Sequence, residues 1–290
     1  MSPTKHVALL GTGLLGRAVA ERLQALGYQV IAFNRTADHA RPLREHGIAV
    51  VNRPELAIEQ ADHVLLLLTD ASAVRSVLLS PACAAVLRGK TIVQMGTIGS
   101  VESQGLQREV EGLGGIYCEA PVLGSLAEAK AGMLLIMVGG TEEQFKNLTP
   151  LLTSLGHEPR LIGPVGKAAA LKLALNQLIA AEITAFALSL GIVRRSGIPV
   201  ESFMALLRQS ALYAPAFDKK LPRLLKRDYH NPNFPTSHLL KDVELCAAEA
   251  GTLHLPTESL EGIRGILRQA MTRGFRQQDY SALYEAIDPG

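Results

Sequence analysis

The 290-residue chain reads as an α/β half followed by an all-helical half, residues 1–164 and 165–290, joined by a long helix between the two domains. Three observations carry this. Short apolar runs alternate with helix-period segments through the first half. A Gly-x-Gly-x-x-Gly turn follows the first of those runs directly. After residue 166 the strand signal stops, and proline and glycine punctuate helical segments only.

"HVALL" (6–10), "YQVIAF" (28–33), "HVLLLL" (63–68) and "TIVQM" (91–95) are near-continuous apolar runs. Separated by helices such as "GRAVAERLQALG", they predict a parallel sheet covered on both faces. "GGIYCEAP", "MLLIMVGG" and "PRLIGPVG" add further strands, with "TEEQFKNLTPLLTSLG" as a helix among them. The second half predicts helices over 167–195, about 200–210, 215–227, 237–250, and through "TESLEGIRGILRQAMTRG".

Composition narrows the function classes. A net charge of +2, with no basic cluster interleaved with aromatics, gives no footprint for nucleic acid. Cys83, Cys118 and Cys246 are odd in number and widely spaced, which suits thiols in a reducing compartment and a cytoplasmic protein. The eight histidines form no ligand pair at metal spacing, so no metal is expected. "MSPTKHVALLGTG" has no long apolar core before a small-residue cleavage site, so no secretory leader is expected.

In "LLGTGLLGRAVAERLQALGYQVIAFNRT", Gly11, Gly13 and Gly16 stand between a strand and a helix. The first makes the tight turn, the second lets backbone approach a pyrophosphate, and the third lets helix and strand pack closely. The first half is therefore expected to be a Rossmann domain. Thr12, Leu14 and Leu15 of this turn, and Leu68 and Thr69 at the end of the third apolar run, join the cofactor-binding set. At the end of the second strand, NAD-selective folds place a carboxylate against the ribose hydroxyls. Here the residues are Asn34, Arg35 and Thr36, with no carboxylate to repel a 2′-phosphate and an arginine to contact it, so NADPH is expected over NADH.

"GPVGKAAALKLALNQLIAAEITAFALSLGIVRRSGI" is apolar round most of its circumference. Lys172, Asn176, Gln177 and Glu182 interrupt it and argue against a membrane span. A helix apolar all round is buried on all sides, which suggests packing against its own domain and a second subunit, hence a homodimer or homotetramer. Lys172 and Asn176 project within about 40° of each other, whereas Lys167 points about 140° away from Lys172. A lone lysine on such a stripe must snorkel, pair with a carboxylate or serve chemistry.

The glycine turn, "CEAPVLGSLAEAKAG" (118–132), "GPVGKAAALKLALNQ" (163–177) and "HLLKDVELC" (238–246) together resemble the β-hydroxyacid dehydrogenase family over essentially the whole chain. "FNRTADHARPLREHG" and "LLLLTDASAVRSVL" look most like its NADPH-dependent glyoxylate/succinic semialdehyde reductase branch. The resemblance implies Lys172 as proton donor with Asn176 orienting it, and Thr97 beside the nicotinamide. It further implies Lys241 near the cofactor, Asp242 as its paired carboxylate at the substrate, and Phe234 as an aromatic pocket wall. The family's substrate-carboxylate loop reads Asp-Ala-Pro-Val-Ser-Gly, but here it is Glu119-Ala120-Pro121-Val122-Leu123-Gly124. Leucine replaces the serine, leaving backbone N–H groups of Leu123, Gly124 and Ser125, or the Ser125 hydroxyl, to hold an anion.

The implied function is NADPH-dependent reduction of small carboxylated aldehydes to hydroxy acids. The alternatives are an oxidative 3-hydroxyacid dehydrogenase, a promiscuous carbonyl or imine reductase, and an inactive NADP-binding scaffold. Lys172 argues against an imine reductase, which generally lacks lysine there, and a scaffold would be expected to have lost Lys172 or Asn176.

Overall fold

The computed structural model describes residues 6–290; the first residues, on which the leader reading partly rests, lie outside it. The first half carries nine strands among the described residues: β1 His6–Leu10, β2 Gln29–Phe33, β3 Ala49–Val51, β4 His63–Leu66, β5 Thr91–Gln94, β6 Ile116–Glu119, β7 Val122–Leu123, β8 Leu135–Gly139 and β9 Arg160–Gly163. Their order is β3-β2-β1-β4-β5-β6-β8-β7, with β9 beside β8. β1 to β6 pair in parallel, whereas β8 runs antiparallel to β6 and β7.

The parallel strands are apolar throughout because each face is covered. Val7 and Leu9 enter one core cluster with Val30, Leu65, Val93 and Cys118. Ala8 and Leu10 point the other way, with Ile31, Phe33, Val64, Ile92 and Tyr117. That alternation is the two-residue pleat of a strand, with both sides apolar. β3 and β7, with three and two residues, are too short to generate a periodic signal in the sequence.

The helix Lys167–Arg195 runs over the whole anticipated segment. The chain divides into two compact units, between Lys172 and Leu173. The sequence places this division at 164/165, where strand signal ends. The first turn of the helix nevertheless stays with the sheet, because Glu119, at the end of β6, accepts its backbone N–H groups.

In the second unit, Ala180, Ile183, Phe186, Ala187 and Leu190 of the long helix enter a core with Phe217, Leu239, Val243, Leu267 and Tyr284. Phe186 and Phe217 stack with ring centroids 4.5 Å apart. Helices Val200–Gln209, Pro215–Lys226, Thr236–Thr252 and Glu258–Ala270 complete the unit, with a short terminal turn and helix over 280–287. Lys220 and Asp279, both buried, pair at 2.7 Å and tie Pro215–Lys226 to that terminal segment.

Within a single chain the long helix leaves Leu178, Leu188 and Ile192 each more than half exposed, forming one stripe at helical spacing. By length and composition alone this helix is long and apolar enough to cross a membrane. Its Lys172, Asn176, Ile183, Phe186 and Leu190 are nonetheless buried within the protein, as in a core helix.

Candidate active site

The glycine turn leaves the carboxyl end of β1 and enters the helix Leu14–Ala25. Gly11 has φ +105°, and a Cβ there would collide with the Leu67 carbonyl. A Cβ on Gly16 would collide with the Gly11 carbonyl. Gly13 differs: its φ of −64° suits any residue, and a Cβ would meet no atom within 4 Å. Backbone at Gly13 thus faces open space at a helix N-terminus, the arrangement that receives a phosphate. Beside it the buried Thr12 Oγ1 has no hydrogen-bond partner among the described residues. Glycine cradle and unsatisfied hydroxyl together fit the pyrophosphate of a dinucleotide.

Asn34 follows β2 and braces this turn. Its Oδ1 accepts from Thr12 N at 3.0 Å and its Nδ2 donates to Thr36 O at 2.9 Å. An aspartate would lose the second bond, so the amide has a structural reason beyond the absence of negative charge. Arg35 and Thr36 are exposed at the rim. Leu68, half-buried, and Thr69, exposed, follow β4; Thr97, half-buried, follows β5. All lie past the carboxyl ends of parallel strands, where open α/β sheets bind ligands.

Glu119 is the residue whose role the sequence concealed. Fully buried, its Oε1 accepts N–H groups of Gly166, Ala168 and Ala169 at 2.8, 2.9 and 3.1 Å, and its Oε2 accepts the Ser103 hydroxyl. Burial raises its pKa from the ordinary carboxylate value, and the hydrogen bonds oppose that rise. An anion here answers the free N–H groups at the start of a 29-residue helix. Gly139, opposite Glu119 across the strand pair, makes room: a Cβ there would collide with the carboxylate. The contact spans 47 residues of sequence, which no local pattern reveals.

Lys172 lies about a turn and a half into that helix and is 8% exposed; Asn176, one turn further, is 2% exposed. Lys167 is exposed on another side. In the second unit Asn176 Nδ2 donates to Asp242 Oδ2 at 2.6 Å. Lys241 Nζ stands 2.9 Å from Asp242 Oδ1, an ion pair without hydrogen-bond alignment. Asp242 is thus a buried carboxylate between an amide and an ammonium. Phe234 is half-buried, its ring edge-on to Tyr280 at 5.7 Å and near the His238 ring at 6.3 Å.

The Leu123–Gly124–Ser125 turn follows β6 closely. Leu123 is half-buried and Gly124 exposed. Ser125 begins the helix Leu126–Ala131, and both its backbone N–H (2.8 Å) and its hydroxyl donate to Glu128 Oε2. Neither group of Ser125 is therefore free in this state to take the place of the absent serine hydroxyl. The signal was in the sequence, as Ser-x-x-Glu is a capping box. Among the described residues no group of three or more His, Cys, Asp or Glu is placed to hold a metal.

Comparison with known proteins agrees with this fold. The family model for the NAD-binding domain of 6-phosphogluconate dehydrogenase matches residues 6–166. That for the NAD-binding domain of NADP-dependent 3-hydroxyisobutyrate dehydrogenase matches residues 166–287. Glyoxylate/succinic semialdehyde reductase 1 of Arabidopsis thaliana is 29% identical over 97% of this chain and 98% of its own. The 2-hydroxy-3-oxopropionate reductase of Escherichia coli K12 is 31% identical over 97% of each. Among solved structures, a 3-hydroxyisobutyrate dehydrogenase of Salmonella typhimurium shares the fold, with a TM-score of 0.88 at 22% identity over 97% of this chain and 99% of that one. The chain is an oxidoreductase acting on CH–OH groups and belongs to the β-hydroxyacid dehydrogenase family.

Proposed function

We propose that the protein reduces small aldehydes with NADPH, a class that includes the glyoxylate and succinic semialdehyde named in its plant relatives. The observation that carries this is the buried Lys172, one helical turn from the buried Asn176, on a helix whose start is fixed to the nucleotide-binding sheet.

When bound, the nicotinamide supplies the hydride. Gly11–Gly16 would hold its pyrophosphate, Arg35 and Thr36 its 2′-phosphate, and Leu68, Thr69, Thr97 and Lys241 the remainder. Lys172, as ammonium, hydrogen-bonds the substrate carbonyl oxygen and gives up a proton as negative charge develops there. Asp242 takes the Nδ2 of Asn176, which fixes the amide and directs its Oδ1 away from that carboxylate. Phe234 supplies an apolar wall for the substrate.

The exposed stripe Leu178, Leu188 and Ile192 supports a homo-oligomer, because exposed apolar patches of this kind mark interfaces. Leu188 also lines a groove with Ala181, Ile263, Ile266 and Ile287. Replacing Leu188 with Glu is expected to lower the sedimentation mass towards that of one chain; an unchanged mass would place the interface elsewhere. Three unpaired cysteines suit work in the reducing cytoplasm.

The test is oxidation of NADPH and NADH in the presence of succinic semialdehyde and an uncharged aldehyde, propanal. Turnover with NADPH at least tenfold above that with NADH is expected. No turnover with either cofactor would defeat the reading.

A further inference from the structure

We infer that the buried pair Lys220–Asp279 is a positioning device for the reaction: by holding the segment 276–280 it fixes the start of the helix Thr236–Thr252, and with it Phe234 and the contact of Asp242 with Asn176. The inference rests on the reductase reading of the preceding section, in which Phe234 walls the substrate and Asn176 stands one helical turn from the proton donor. Lys220 and Asp279 are not themselves catalytic; they act through these side chains.

The helix Thr236–Thr252 begins after Pro235, whose side chain offers no cap. Its first N–H groups are satisfied from a distant part of the chain: Thr236 N donates to Gln278 O at 2.9 Å and Ser237 N to Arg276 O at 3.1 Å. The buried Thr236 hydroxyl adds a second bond to Gln278 O at 3.1 Å. In the same segment, Asp279 N donates to Tyr229 O and Tyr280 N to Phe234 O. Residues 276–280 thus brace the chain from Tyr229 to Ser237. The anchor of the brace is the buried Asp279 carboxylate. It accepts Lys220 Nζ at 2.7 and 2.8 Å, the N–H and hydroxyl of Ser281 at 3.1 and 2.7 Å, and the Asn233 N–H at 3.4 Å. Lys220 Nζ also lies 4.2 Å from the centroid of the Tyr280 ring, whose centroid is 5.7 Å from that of Phe234. A buried ion pair gains little net stability, because desolvation offsets its attraction. What it fixes is geometry, since each buried charge is answered in one place only. In the second turn of the helix so held, Asp242 Oδ2 accepts from Asn176 at 2.6 Å.

The test is the double variant Lys220→Met/Asp279→Asn, which removes both charges and keeps an acceptor for Ser281. The rate of hydride transfer from bound NADPH to succinic semialdehyde, in a single turnover, is expected to fall about tenfold, with NADPH affinity unchanged. Thr236→Val has the same shape and loosens the same brace without disturbing a charge, so it decides the matter should the double variant not fold. A fall of about threefold is expected there. Met204→Ala serves as the comparison, because it opens a cavity in the same core on the helix Val200–Gln209, outside the brace. Lowered stability alone should leave its rate per folded molecule within about twofold of wild type. If the brace variants keep the wild-type rate, or lose no more of it than Met204→Ala, the inference is overturned and the reductase reading stands. If the wild type turns over no aldehyde, the reductase reading fails, and the brace is judged by hydrogen exchange of the amides of 236–242. Faster exchange in the brace variants than in Met204→Ala then supports it; equal exchange overturns it.

Discussion

Two turns of the first unit, one after β1 and one after β7, treat negative charge in opposite ways. The turn after β1 keeps an open face at Gly13 and an unsatisfied hydroxyl at Thr12. The turn after β7 fills the Ser125 donors with the carboxylate of Glu128. Both lie past the carboxyl ends of strands, so the sheet alone does not decide what binds. The residue three positions after each cap differs: Gly16, which has no side chain, after Gly13, and Glu128 after Ser125.

The comparison can be broken most severely by making the first turn resemble the second. Gly13→Asp should fold, since its φ is ordinary and its Cβ direction open, yet it sets a carboxylate where the pyrophosphate belongs. NADPH affinity, measured by fluorescence titration, should fall about a hundredfold, or roughly 2.7 kcal/mol, with little change in thermal unfolding. A smaller effect is expected at the rim. Asn34→Asp removes the Nδ2 bond to Thr36 and adds negative charge near the 2′-phosphate position. The ratio of NADPH to NADH efficiency should drop about tenfold; an unchanged ratio would separate Asn34 from cofactor choice.

The mildest effect is at Glu119, a carboxylate that serves a helix start instead of a ligand. Burial raises its pKa in the folded state, so its contribution to stability is largest at low pH and declines as pH rises through that raised value. Glu119→Gln removes this decline while keeping an acceptor for the three N–H groups. The unfolding temperature of the variant relative to wild type should therefore increase between pH 4.5 and 8, by about 2 °C. A constant difference would show that Glu119 does not titrate across that range.

These residues also show where sequence suffices. The glycine turn is legible because its parts are contiguous and each glycine answers a local steric demand. β1 and the long helix are legible because burial imposes long unbroken patterns. Glu119 is not, because its partners at Gly166–Ala169 come together only when β6 and the helix start meet. Asp242 carries a signal in its Lys-Asp pair, but its bond to Asn176 spans 66 residues. The long helix is legible only in part, for a physical reason: an apolar circumference cannot distinguish a face buried within the chain from one left exposed on it.

The central claim is that Lys172 donates the proton. The most direct test compares Lys172→Ala with wild type in a single turnover of bound NADPH against succinic semialdehyde, with NADPH affinity measured in parallel. A fall in the hydride-transfer rate of about a thousandfold, with affinity within about threefold, is the predicted result. Transfer at a near wild-type rate in the variant would contradict the assignment and move the proton donor elsewhere.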